Sequence, residues 1–244
     1  MALSHQSFSL VVLINGILYL LSGFFLLIFR KNLTFKTVYF DEKFKFNIKE
    51  SFSQIRDVIT GNNSSNFLVL VFSLVFINFI LAGIGPLTSL AMLKFNPFPV
   101  SYGTAIMIFN VVLMLGMLAG SFIMGDKLKD WELPKLMIAT FLMIALFAAL
   151  VTHFGLLSLI FLFALAYISA KASPKVNRLI MENISSENLG KIGGGITTIF
   201  TFSVPFGGAI FVFLANLIGV ALTFYIISIF ALLVFYFTIS NFRQ

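Results

Sequence analysis

Charged residues fall in clusters along this chain, and the stretches between the clusters are almost wholly apolar. No charged residue stands between Asp57 and Lys94, between Lys94 and Asp126, between Lys135 and Lys171, or between Lys191 and Arg243. A helix rising about 1.5 Å per residue needs about 20 apolar residues to cross the hydrocarbon core of a bilayer. Every gap holds that many, and the last is too long for one crossing, so it must fold back on itself. The pattern predicts an all-α membrane protein with seven transmembrane helices, over 8–29, 67–93, 101–125, 136–152, 156–173, 192–214 and 219–240. A tight turn at His153, Phe154 and Gly155 joins the fourth and fifth, and a reversal at 215–218 joins the last two.

The first span reads as retained rather than as a signal peptide, because Arg30 and Lys31 follow its apolar stretch instead of preceding it. After it, Ile48, Phe52, Ile55 and Ile59 recur at helical spacing with Lys49, Glu50, Arg56 and Asp57 on other faces. That predicts an amphipathic helix on the membrane surface, followed by a turn at 61–66. Three parts follow: residues 1–31 as the first transmembrane helix, 32–66 as a cytoplasmic linker, and 67–244 as a six-helix bundle. Of the sixteen Lys and Arg residues, fifteen fall in loops on one side and only Lys94 on the other. The bias places those loops in the cytoplasm, the N-terminus outside and the C-terminus inside, in a multi-pass plasma-membrane protein. Seven spans with a short outside N-terminus read as a chain that starts in the middle of a longer arrangement. The alternative is a seven-helix receptor-like protein, but no span supplies the Lys that a retinal Schiff base needs.

Composition narrows the chemistry. With 59% hydrophobic and only 10% charged residues, the chain is no ordinary soluble domain. The net charge of +7 is explained by topology-setting cations, and no nucleic-acid partner is expected. There is no Cys and there are only two His, so thiolate sites, Cys nucleophiles and His-rich metal motifs are excluded; no cofactor, metal site or enzymatic activity is expected. No Asp, Glu, Lys or Arg lies clearly inside a span, Lys171 standing at the very end of the fifth, so no intramembrane proton relay is expected in this sequence.

What remains inside the spans is a sparse polar set. Asn78 shares a face with Ala82 and Gly85, beside Pro86; Asn110 lies midway along the third span and Tyr167 in the fifth; Thr197, Thr201, Pro205 and Gly208 share one face of the sixth. Asn78, Pro86, Asn110, Tyr167, Thr197 and Thr201 are therefore candidates for a cavity with few hydrogen-bonding groups and much apolar wall, suited to an amphipathic small molecule. Interhelical hydrogen bonding, which Asn and Thr commonly provide in bundles, is the more ordinary account of any one of these residues. Gly116 and Gly120 form a GxxxG pair, and Gly207 and Gly208 follow Pro205; these positions suit close helix packing or bending.

Three segments taken together resemble the C-terminal half of a major facilitator superfamily transporter. The run from Gly116 through Gly120 and Gly125 to Asp126 and Lys127 is similar to the family's Gly/Asp/Arg loop motif, although Lys129, Asp130 and Trp131 stand where its Gly-Arg-Arg ending would be. Pro174 to Arg178 followed by 182–193 resembles the loop between spans ten and eleven in macrolide-efflux and siderophore-exporter relatives, and Pro205 with Gly207 and Gly208 is similar to their eleventh span. The resemblance implies that the seven helices correspond to spans 6–12, built from inverted repeats around a mid-membrane cavity. It also implies export of amphipathic small molecules against protons, spans 1–5 either supplied by a separate polypeptide or lost by truncation, and a gating or packing role for Gly116, Gly120, Asp126, Lys127, Pro205, Gly207 and Gly208. Two other readings stay open: a non-transporting membrane interaction or immunity protein, and a non-functional remnant.

Overall fold

The computed structural model describes residues 65–95, 98, 100–123, 125–183 and 194–242, with scattered positions between 17 and 28. The chain divides into two compact units, Met1–Phe46 and Asn47–Gln244. In the first, Ile17, Leu20, Leu21, Gly23, Phe24, Phe25 and Ile28 are helical and exposed. The amphipathic stretch expected over 48–59 lies outside the described residues.

In the second unit the described residues form six long helices: α1 (Ser65–Lys94), α2 (Tyr102–Phe122), α3 (Leu133–Leu150), α4 (Gly155–Asn183), α5 (Gly194–Ile218) and α6 (Val220–Phe242). All six are long and apolar enough to cross a membrane, which gives the chain the character of a multi-pass membrane protein. Its outer surface agrees: Phe122, Leu217, Leu233 and Tyr236 are among many large apolar side chains left exposed, an arrangement suited to hydrocarbon and not to water.

Local chemistry sets the helix ends. Ser101 caps α2, its hydroxyl accepting the Thr104 N–H at 3.4 Å, and Pro134 sits in the first turn of α3, where a missing N–H costs nothing. The α3–α4 connection is the expected tight turn, with the Phe154 N–H donating to Leu150 at 2.7 Å. Two boundaries differ from the sequence reading. The reversal expected at 215–218 is helical: Asn216 donates to the Val212 carbonyl at 3.0 Å and Ala215 is buried, so neither breaks α5. The break falls at Gly219, whose φ of +94° is the left-handed conformation in which helices commonly end. The loop expected from Pro174 onward is also helical, since α4 runs to Asn183 with Pro174 inside it.

The core is filled by Phe98, Phe141, Phe147 and Phe224, all fully buried, with Leu136, Ile144 and Leu162 around them. Edge-on aromatic contacts join the helices: Phe147 meets Phe224 at 6.4 Å between ring centroids, and Phe76 meets Phe230 at 5.5 Å. Helices pack most extensively in the pairs α1–α5, α2–α4, α3–α6 and α3–α4, followed by α1–α6. Exchanging the first three helices with the last three maps α1–α5 onto α2–α4, α3–α6 onto itself, and α3–α4 onto α1–α6. Three crossings separate each helix from its counterpart, so the counterparts run in opposite directions. The pairing pattern is thus roughly preserved when the first three helices exchange places with the last three, each helix being antiparallel to its counterpart. The relation is approximate, for α5 packs on α6 more than α2 does on α3.

Candidate functional site

The polar candidates within the helices bond along their own backbones. Asn78 donates to the Leu74 carbonyl at 3.0 Å, Asn110 to Ile106 at 2.8 Å, and Thr201 to Thr197 at 2.9 Å. This i to i−4 bonding satisfies a donor without a second helix, so a polar side chain can face an apolar medium at lower cost. Polar contacts between helices are made by residues the sequence reading passed over. Ser73 and Thr238 share a buried hydrogen bond at 3.2 Å between α1 and α6, and the Ser228 hydroxyl donates to the Ala145 carbonyl at 2.9 Å between α6 and α3. Small buried hydroxyls in facing helices were the available signal.

Thr197 and Thr201 come together with Thr198, Phe202 and Pro205 around a shallow concavity of about 360 Å³ on the exposed side of α5. The other cavity candidates lie apart from it. Asn110 is on an exposed part of α2, Pro86 is exposed on α1, and Asn78 is half-buried. α5 turns only one stripe inward, Ser203, Gly207, Phe211 and Ala215, each four residues from the next. Gly207 lies directly against α1: a Cβ there would stand 1.9 Å from the Phe79 carbonyl oxygen, and one at Gly83 would stand 2.3 Å from the Phe211 ring. The matching pair α2–α4 uses glycine in the same way. A Cβ at Gly116 would meet the Phe163 carbonyl at 2.7 Å, and one at Gly120 would meet the Tyr167 carbonyl at 2.4 Å. Gly208 is different, with its nearest atom, the Ala82 carbonyl oxygen, at an ordinary 3.7 Å.

Tyr167 belongs to a second site, at the end of the bundle where α2 stops. After Phe122 the chain extends at Ile123 and passes through a 3₁₀ turn, Lys127–Asp130, preceded by Asp126. The Asp126 carboxylate does not cap that turn and meets α4 instead. The Tyr167 hydroxyl donates to one of its oxygens, and the Lys171 ammonium donates to the other at 2.8 Å and also to the Ile123 carbonyl. One α4 turn further on, Lys175 donates to the Lys129 carbonyl at 2.7 Å and to that of Trp131. Tyr167, Lys171 and Lys175 are spaced by four and share one helix face, with Phe163 stacked on the Tyr167 ring at 6.3 Å.

The Lys171 ammonium beside Asp126, and then the Tyr167 hydroxyl, hold the Asp126 carboxyl below the ordinary value of 3.8. Lys171 corrects one expectation, for it lies within the apolar span Gly155–Arg178 and its side chain is only 9% exposed. Counted by charge alone it belongs with the loop cations, but the helix continues beyond Ser173 and carries it against Asp126. Its spacing from Tyr167 was the signal that linked it to Asp126. Among the described residues, no group of His, Cys, Asp or Glu is arranged to hold a metal ion. No family model matches the chain, and no curated protein or solved structure is significantly similar to it.

Proposed function

We propose that the chain is part of a major-facilitator-type transporter that exports amphipathic small molecules across the plasma membrane by alternating access. The observation that carries this reading is the inverted packing of the six helices, in which α1–α5 and α2–α4 exchange places and both are closed by glycine against backbone. Inverted three-helix units are the construction from which rocking transporters are built. A second support is the pattern of exposure: α2 leaves Asn110 outward, and α5 leaves Thr197 and Thr201 outward beside Phe202 and Pro205. Few hydroxyls and amides among apolar side chains suit a ligand that is partly polar and partly apolar.

The test uses the absence of Cys in the chain. In membranes of the cells that make it, Thr201→Cys and Asn110→Cys should react with a membrane-impermeant maleimide, and an outward-facing site on α6, Leu233→Cys, should not. Deleting the chain should raise cellular accumulation of an amphipathic dye. If both cavity positions stay unlabelled and dye accumulation is unchanged by deletion, the transporter reading falls. A specific protein partner would then favour the interaction or immunity reading, and a silent deletion of a barely detectable protein the remnant.

A further inference from the structure

The segment joining α2 to α3 is built around cations that have no carboxylate of their own. Asp126 is taken by Lys171 and Tyr167. Glu132 lies 4.0 Å from Lys135 in an exposed pair. Lys127 and Lys129 are exposed and pair with no carboxylate among the described residues. Lys175 spends its hydrogen bonds on the main-chain carbonyls of Lys129 and Trp131, so its charge sits against the same segment with no carboxylate paired to it among the described residues. Over 122–135 and 171–178 there are six cations and three carboxylates.

The position of this segment matters as much as its charge. It lies between the end of one apolar span and the start of the next, at the level where hydrocarbon gives way to headgroups. Trp131, the only Trp of the chain, is exposed there, and an indole prefers that boundary. The opposite end of the bundle carries one described Lys or Arg, Lys94. A carbonyl-anchored Lys175, two unpaired lysines on a 3₁₀ turn and an interfacial Trp together complement a phosphate that is held at the membrane surface.

We infer that Lys127, Lys129 and Lys175, with Trp131 beside them, bind the phosphate headgroup of an anionic lipid. The inference rests on the membrane character of the chain and is independent of transport. Binding there would seat the α2–α3 connection against α4 from the membrane side, where Lys171 and Lys175 already hold it from within.

Because Trp131 is the only Trp, its fluorescence reports on this segment alone. The full chain is reconstituted in phosphatidylcholine vesicles containing either brominated phosphatidylglycerol or brominated phosphatidylcholine at one fixed mole fraction. Quenching should be stronger with the anionic lipid. That preference should fall by about threefold or more in Lys127→Gln/Lys129→Gln, whose changed side chains are exposed, and should persist in Lys94→Gln. Equal quenching by the two lipids overturns the inference, as does a preference that survives the double substitution. Loss of the preference on adding inorganic phosphate identifies a site for free anions and overturns the lipid assignment.

Discussion

Asp126 receives two side-chain hydrogen bonds, from the Lys171 ammonium and then the Tyr167 hydroxyl, and both favour its ionised form. A folded state that holds this carboxyl below 3.8 takes up its proton less readily than the unfolded chain does. Its contribution to stability is therefore complete above that value and is lost as pH falls through the lower folded value. Asp126→Asn should melt at a lower temperature than the parent chain at neutral pH, because Lys171, nearly buried, loses its counter-charge. The gap between the two melting curves in detergent should stay constant down to about pH 5 and then narrow toward pH 3. A gap that does not change over that range would mean Asp126 is not the group that links this site to pH. Only half of the site was legible in the sequence. Asp126 and Lys127 stood out in a glycine-bearing motif at a span end, but Lys171 and Lys175 looked like any topology-setting cations. The role of Lys175 depends on a helix that continues past Ser173, and sequence periodicity does not show which carboxylate or carbonyl either lysine will reach.

At the scale of the helix pair, close approach distinguishes glycines that the sequence treats alike. Gly207 and Gly208 are neighbours after Pro205, yet only Gly207 faces backbone at a distance that excludes a methyl group. Gly207→Ala should destabilise the protein by about 1–3 kcal/mol through overpacking of α5 on α1. Gly120→Ala should do the same to α2 on α4, where Tyr167 and Ala170 close around it. Gly208→Ala should change stability by less than about 0.5 kcal/mol, as a substitution with ordinary contacts does. Thermal or denaturant unfolding of the three variants in one detergent measures all of this; equal losses at Gly207 and Gly208 would refute the packing assignment. GxxxG was recognisable in advance because small residues four apart fall on one face. The boundaries of α4 and α5 were less so. Pro174 normally argues against a helix interior, but Lys171 and Lys175 tie its flanking turns to the α2–α3 connection, and tertiary contacts outweigh the local preference. Ala215 to Ile218 looked like a reversal because Asn216 interrupts the apolar run; the Asn side chain instead bonds back to Val212, leaving Gly219 to make the turn.

For the molecule as a whole, the helical class and six apolar helices among the described residues follow from the charge-free gaps, whereas the pairing of the helices does not, since apolar sequence carries little information about which apolar neighbour it meets. The described helices do settle which residues share an end. Lys94, His153 and Gly219 lie at one end of the bundle; the 3₁₀ turn, the last turns of α4 and the end of α6 lie at the other. Six of the seven described Lys and Arg residues belong to the second end. Cations within a few residues of a span are held on the cytoplasmic side during insertion, so that end should face the cytoplasm. With no native Cys to interfere, Lys129→Cys and His153→Cys report on the two ends separately. In intact cells or spheroplasts an impermeant maleimide should label His153→Cys and leave Lys129→Cys untouched, and inverted vesicles should reverse the result. Labelling of both from the same side would mean that α3 does not cross the membrane, and the inverted relation of the two three-helix units would fall with it. Labelling of Lys129→Cys alone in intact cells would leave the packing standing and reverse the orientation, so that the carboxylate–lysine site and the unpaired lysines would face outward.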